Sequence, residues 1–286
     1  MKFIRFGLVF LGFLSACVPG PGIEKLRKAA DQGNANAQLN LGLACGRGEG
    51  MPMDRKEAVK WFRMAAEQGN ADAQFRLGGA YYHGEGVQKD LEESVKWWRK
   101  AADQGNAKAQ FSLGVAYHNG EGVPKDPEEA VKWYRMAAEQ GNAEAQFNLG
   151  AAYANGDGVP KDREEAVKWY RKTAAQGDAD AQFNLGCAYD KGEGVLKDLE
   201  ESVKWWRKAA DQGNAEAQFN LGVAYQKGEG VLKDLVEAHA WVNIAAVKGD
   251  EMSQKLRDAI EKELTKEQIS EATKRAKEIL ATIKKP

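Results

Sequence analysis

The chain has 286 residues, with 41 Lys plus Arg against 42 Asp plus Glu, a formal net charge of −1 and 29% charged residues. That balance suits a soluble protein and excludes a general nucleic-acid binder, which carries a basic excess. Length alone suggests two domains, a prior that the pattern below overrides.

Lys2 and Arg5 form a short basic start, Phe6 to Leu14 an apolar run, and Leu14-Ser15-Ala16-Cys17 follows. This layout predicts a secretory signal peptide over 1–16, too short to stay as a membrane span. The cysteine directly after Leu-Ser-Ala resembles the lipobox of bacterial lipoproteins. The resemblance implies that Cys17 becomes the lipidated first residue of the mature chain, a stable membrane anchor because several acyl chains share one residue. Without Lys2 and Arg5 the net charge moves from −1 to −3. Val18 stands where an Asp would favour inner-membrane retention in Gram-negative bacteria, so the same resemblance points to the outer membrane, periplasmic side. An ordinary signal cut, giving a secreted protein, is the alternative.

Next, Ile23 to Gln32 reads as the second helix of a truncated unit, and residues 17–35 together as the lipidated start and a half-repeat. Gln32-Gly33-Asn34 then returns as Gln68-Gly69-Asn70, Gln104-Gly105-Asn106, Gln140-Gly141-Asn142 and Gln212-Gly213-Asn214, while Gly177 and Gly249 mark the same point with altered neighbours. The interval is 36 residues. A fixed period of this size predicts a solenoid of helical pairs. Such an array works through a long surface more than through a pocket.

Asp72 to Ala107 shows the unit. Ala73, Leu77 and Tyr81 recur every four residues, one stripe of a first helix. His83-Gly84-Glu85-Gly86-Val87-Gln88-Lys89 breaks it. Asp90 opens a second helix and, with Glu93, predicts a capping box. Asp54/Glu57, Asp126/Glu129, Asp162/Glu165, Asp198/Glu201 and Asp234/Glu237 repeat it, and Pro127 sits at a first helical position, where its missing N–H costs nothing. Ser94, Trp97, Trp98, Ala101 and Ala102 share one face. Glu92 and Lys96 predict an exposed pair four apart, as do Glu128/Lys132, Glu164/Lys168 and Glu200/Lys204. Gly105 suits a left-handed helix end. Trp61, Trp97, Trp133, Trp169, Trp205 and Trp241 hold register, and so do Gly42, Gly78, Gly114, Gly150, Gly186 and Gly222. A large ring against a missing side chain predicts close helix packing. Because the ring appears in every unit, it reads as core, not as a ligand platform.

Ala-x-x-x-Leu-Gly-x-x-Tyr, then Gly-x-Gly-Val-x-x-Asp, then Ala-x-x-Trp-x-x-x-Ala-Ala-x-x-Gly resembles the Sel1-like repeat, a relative of the tetratricopeptide repeat. The resemblance covers 36–251 as six units. It implies an all-α fold, a right-handed α/α superhelical solenoid of helix-turn-helix repeats. Departures gather at the ends: Cys45 replaces Tyr, Met51-Pro52-Met53 fills the first loop, and Ala240-Trp241-Val242-Asn243 ends the last unit. Residues 252–286 then read as capping helices. Gln254 keeps register but Asp258 replaces Gly. Thr265 and Gln268 predict a capping box, and Ile269, Ala272, Ala276, Ile279 and Ile283 form an apolar face that closes the array.

Other chemistry finds little support. Gly84-Glu85-Gly86 and its copies lack the preceding strand and full spacing of a phosphate loop. Lys96-Trp97-Trp98-Arg99 interleaves bases and aromatics, as nucleic-acid binders do, yet its rings lie on the buried face. His83, His118 and His239 have no zinc spacing, and Cys45 and Cys187 stand almost four periods apart, beyond disulfide reach and without a cysteine partner for a metal. Some cysteine-rich Sel1-repeat proteins are linked to β-lactam chemistry. This chain lacks their paired cysteines and any Ser-x-x-Lys nucleophile signature. No catalytic, cofactor or metal residue is therefore assigned, and an envelope enzyme of the β-lactamase-like Sel1-repeat type, or a secreted host-interaction factor, stays as the alternative.

The units differ along one stripe of the first helix: Arg76, Gly79 and His83, then Ser112, Val115 and Asn119, then Asn148, Ala151 and Asn155, then Asn184, Cys187 and Lys191, then Asn220, Val223 and Lys227. Spacings of three and four put each trio on one face. Beside it lie Tyr82, His118, Ala154, Asp190 and Gln226. In tetratricopeptide arrays the comparable face lines a concave groove, and the resemblance implies the same use here. Asparagine is a mediocre helix former, so the row Asn148, Asn184 and Asn220 is the most informative part. Its amides suit an extended peptide backbone. The expectation is a non-enzymatic scaffold of the bacterial cell envelope that holds a peptide or protein segment.

Overall fold

The computed structural model describes residues 21–247 and 250–283. The signal peptide over 1–16 and the lipidation site Cys17 lie outside the described residues. Within them all regular structure is helical. The helices are α1 (Pro21–Asp31), α2 (Ala35–Arg47), α3 (Arg55–Glu67), α4 (Ala71–His83), α5 (Leu91–Asp103), α6 (Ala107–Asn119), α7 (Pro127–Glu139), α8 (Ala143–Asn155), α9 (Arg163–Ala175), α10 (Ala179–Lys191), α11 (Leu199–Ala210), α12 (Ala215–Lys227), α13 (Leu235–Ala246), α14 (Glu251–Glu261) and α15 (Lys266–Thr282). The chain divides into two compact units, one ending at Asn106 and one beginning at Ala107. In each, successive helices pack on one another as far as α14, and α15 returns to α13, the arrangement of a helical-repeat solenoid.

Local chemistry sets each boundary. The Asn of Gln-Gly-Asn caps the first helix of a pair: Asn70 accepts from the Ala73 N–H at 2.9 Å, and Asp178 does the same for Ala181 at 2.7 Å. The second helices start on aspartates, with Asp90 accepting from the Glu93 N–H at 2.9 Å. This is half of the expected capping box, and the other half is absent. The Asp90 N–H is already donated to the Tyr81 carbonyl at 3.0 Å, so it has nothing to offer Glu93. The Glu93 carboxylate turns instead to Lys96, at 3.3 Å. Glu57–Lys60, Glu129–Lys132, Glu165–Lys168 and Glu201–Lys204 copy this pairing. The exposed pairs are thus three apart, not four as expected. In α15 both halves form, because the Thr265 N–H is free to donate to Gln268 at 2.9 Å.

The loop glycines divide the work. Gly84 and Gly86 both have φ +72°, a region costly for residues with a Cβ. Gly84 ends α4. A Cβ on Gly86 would lie 2.1 Å from the Arg55 carbonyl oxygen, so the loop sits directly on the start of α3.

The ring against each helix glycine is not the one in strict register. A Cβ on Gly78 would meet Trp98, not Trp97, at 2.4 Å. Phe62 covers Gly42, Tyr134 covers Gly114, Tyr170 covers Gly150, Trp206 covers Gly186, and in the last pair Val242 covers Gly222. Trp97 and its copies face another way. Trp169 joins the core of α7 and α8, and Trp241 that of α11 and α12, so each closes the seam between its own pair and the preceding one. Residues 97 and 98 are a helical step apart and both fall within the wide apolar sector, which is why periodicity alone could not separate them.

Polar ladders tie the pairs together. Gln74, almost fully buried, donates to the Ala66 carbonyl at 3.0 Å and accepts from Gln104 at 2.7 Å. Gln146 and Gln182 repeat both bonds with Ala138 and Gln176, and with Ala174 and Gln212. The Arg171 guanidinium donates to the Tyr189 hydroxyl at 2.7 Å, as Arg63 does to Tyr81, Arg135 to Tyr153 and Arg207 to Tyr225. At the C-terminal end α14 packs on α13 as a further first helix would. α15 also packs on α13, burying Ala272, Ala276 and Ile279. Asp258, at the register of the helix glycines, is exposed.

Candidate functional site

Open cavities lie between successive first helices, with the intervening second helix as floor. In the second unit, one of about 340 Å³ takes His118 and Asn119 from the end of α6, Tyr134 from α7, and Asn148 and Asn155 from α8. The next, about 220 Å³, takes Asn155 from α8, Tyr170 from α9, and Asn184, Cys187 and Lys191 from α10. Each cavity joins the last turn of one first helix to the middle of the next. The variable stripe therefore does gather on one surface of this unit. Asn220 departs from that pattern. It lines a cavity of about 320 Å³ between α10, α12 and α14 with Phe183, Phe219 and Met252, and its amide lies 4.0 Å from the Cys187 sulfur.

The other stripe residues are placed as follows. Arg76 and His83 line a cavity in the first unit over Phe62. Tyr82 stacks on Trp98 with ring centres 5.3 Å apart, so it is partly spent on packing. Ser112, Asp190 and Gln226 are half-buried on their helices, and Lys227 is exposed and pairs with Glu229 at 3.8 Å.

Burial pushes the Tyr134 phenol up to about 12, against a hydrogen bond with Asn148 that pulls it down. Tyr170 rises to about 12 through burial alone. Both floors thus present neutral hydroxyls. The Cys187 thiol is also raised, chiefly by burial, which disfavours the thiolate. Both Cys45 and Cys187 are free thiols. His118 faces Asp157 at 3.4 Å, and the buried His239 pairs with Glu261 at 2.9 Å. Among the described residues no three His, Cys, Asp or Glu side chains converge on a metal position, and no helix is long and apolar enough to cross a membrane.

The floor rings Phe62, Tyr134 and Tyr170 were missing from the sequence-based site. Their signal was present: the position after each invariant Trp reads Phe, Trp, Tyr, Tyr, Trp, Val, a large core position whose identity changes along the array.

Stacked helical pairs with open cavities along the first-helix face make a helical-repeat array. The Sel1 repeat profile matches residues 26–34, 35–70, 71–106, 107–142, 143–178, 179–214 and 215–250. The chain belongs to the Sel1 repeat family, whose members are generally protein-interaction scaffolds. It is 38% identical to a Sel1 repeat protein from Oxalobacter formigenes over 80% of this chain and 100% of that one, with a TM-score of 0.66. It is 28% identical to c5321, a protective antigen of uropathogenic Escherichia coli displaying an SLR fold, over 91% and 79% of the two chains, with a TM-score of 0.48. Immunity protein Pa5087 from Pseudomonas aeruginosa is 20% identical over 79% and 81%, with a TM-score of 0.42. The chain matches none of the curated proteins.

Proposed function

We propose that the protein is a non-enzymatic scaffold of a bacterial cell envelope, anchored by lipid at Cys17, which holds a peptide or protein segment along its first-helix face. The observation that carries this reading is the division of labour along the repeat. Residues identical from unit to unit are consumed by caps, ladders and seams. Those that vary meet in open cavities with Asn, Tyr and charged side chains at their walls. Amide and hydroxyl groups of this kind satisfy an extended backbone without requiring one sequence.

Replacing Asn148, Asn184 and Asn220 together by Ala is the direct test. Circular dichroism should stay that of the native protein, while capture of partners from envelope extract falls. Undiminished capture would sink the reading. Mass spectrometry of the mature N-terminus decides the anchor: a diacylated or triacylated Cys17 supports it, and an unmodified start elsewhere argues for secretion.

A further inference from the structure

The cavity of the first unit differs from the others in two ways that its neighbours' sequence makes measurable. It has a volume of about 340 Å³ between α2 and α4, over Phe62 on α3. The first difference is a glycine without a structural reason. Gly78, in the middle of α4, is required, since a Cβ there would press into Trp98. Gly79, beside it, lines the cavity, and a Cβ added there would meet nothing within 4 Å. Glycine is the poorest helix former after proline, and every other copy of this position carries a side chain: Leu43, Val115, Ala151, Cys187 and Val223. Gly46, also on the wall, could accept a Cβ at an ordinary 3.6 Å from Ala58. Its other copies are Tyr82, His118, Ala154, Asp190 and Gln226. Two side chains are thus left out where the fold would accept them, and both omissions bare the wall of the same cavity.

The second difference is charge. Arg47, Arg55 and Arg76 line the cavity against one carboxylate, Glu85. Arg55 reaches Glu85 only at 4.0 Å, and Arg47 is held by Glu49 at 3.3 Å. Arg76 lies over the Phe75 ring at 5.9 Å and has no carboxylate partner among the described residues. It replaces an Asn or Ser present at this register in the other units, Asn40, Ser112, Asn148, Asn184 and Asn220. The cavity lined by Asn148, by contrast, holds no Arg or Lys at all.

From these differences the geometry points to a recognition pocket in the first unit for one bulky apolar side chain flanked by carboxylates, on an extended acidic peptide. The inference rests on the scaffold reading and narrows it: the apolar side chain fills the room left by Gly79 and Gly46 over Phe62, and the carboxylates meet the guanidinium of Arg76, whose planar fork suits them.

The test uses the soluble chain from residue 18 onward and three fluorescein-labelled peptides, read by anisotropy. The first is Ser-Asp-Glu-Phe-Asp-Glu-Ser, the second has Lys at each acidic position, and the third has Ala for Phe. The first should bind, more weakly as salt rises, and the other two should bind at least about tenfold less tightly, the ratio a lost charge-assisted contact produces. Gly79→Val and Arg76→Asn place at these positions residues that other units already carry. Each should weaken the first peptide by about tenfold or more while the thermal midpoint is unchanged or, for Gly79→Val, higher. Equal binding of the Lys peptide overturns the acidic class. Unchanged binding by Gly79→Val overturns the pocket. Absence of binding by the first peptide overturns the inference entirely. None of these outcomes touches the scaffold reading, which depends on Asn148, Asn184 and Asn220 in the other unit.

Discussion

At the scale of single residues, adjacent glycines do opposite jobs. Gly78→Ala forces a methyl to within 2.4 Å of the buried Trp98 ring and 3.1 Å of the Ser94 carbonyl oxygen. Overpacking of this kind costs about 1–3 kcal/mol, so urea unfolding of Gly78→Ala should show a midpoint well below wild type, while Gly79→Ala should match or exceed it. Equal midpoints would mean that Trp98 yields freely. The buried phenols give a second prediction. Tyr134 and Tyr170 titrate near 12 in the folded protein and near 10 in an unfolded chain. A folded pKa above the unfolded one adds stability that is complete below pH 10 and drains away between 10 and 12. Urea midpoints should therefore drop across that interval, and Tyr134→Phe with Tyr170→Phe should flatten the drop. The sequence made the glycine register plain, yet matched it to the wrong ring. The two candidates, Trp97 and Trp98, differ by one helical step, and only the packing of the facing helix distinguishes them.

At the scale of elements, a cap is only as complete as the competition for its donors allows. The spacing of Asp162 and Glu165 was read correctly as a helix start, and Asp162 does accept from the Glu165 N–H at 3.0 Å. The reciprocal bond failed because the Asp162 N–H goes to the Tyr153 carbonyl at 2.9 Å, a partner supplied by the preceding helix and invisible to a four-residue motif. The consequence is an asymmetry. Asp162→Ala should cost about 1 kcal/mol, the usual worth of an N-cap. Glu165→Ala removes only the exposed pair with Lys168 and should cost clearly less than Asp162→Ala. Chemical denaturation of the two variants checks this, and a Glu165→Ala loss as large as that of Asp162→Ala would show that the glutamate does cap the helix. The glutamine ladder lay equally outside local reading. Gln146 stands on a stripe of buried residues, a poor place for an amide unless both of its ends are satisfied. The second partner comes from Gln176, which caps the end of the following helix.

At the scale of the whole molecule, stability in a repeat array is a sum of neighbour terms, so an end matters through what it covers. The sequence announced the terminal helix by its apolar face and its Thr265–Gln268 cap, but left open which helix it would cover. The structure places α15 on α13. Ala276 and Ile279 join the core around Val203, Trp206 and Trp241, and Arg275 meets Glu237 at 2.6 Å. Ending the chain at Leu264 would strip this cover from α13 while leaving α14 and its buried Ile260 in place. Three buried aliphatic groups, Ala272, Ala276 and Ile279, and an ion pair are lost, and the newly wetted surface belongs to the last pair. Because each pair leans only on its neighbours, hydrogen exchange of the shortened protein should speed up in α13 and α12 and stay slow in α8 and α9, two pairs away. If protection fell evenly from α6 to α14, the second unit would be one cooperative core, and the additive picture of stacked pairs would fail with it.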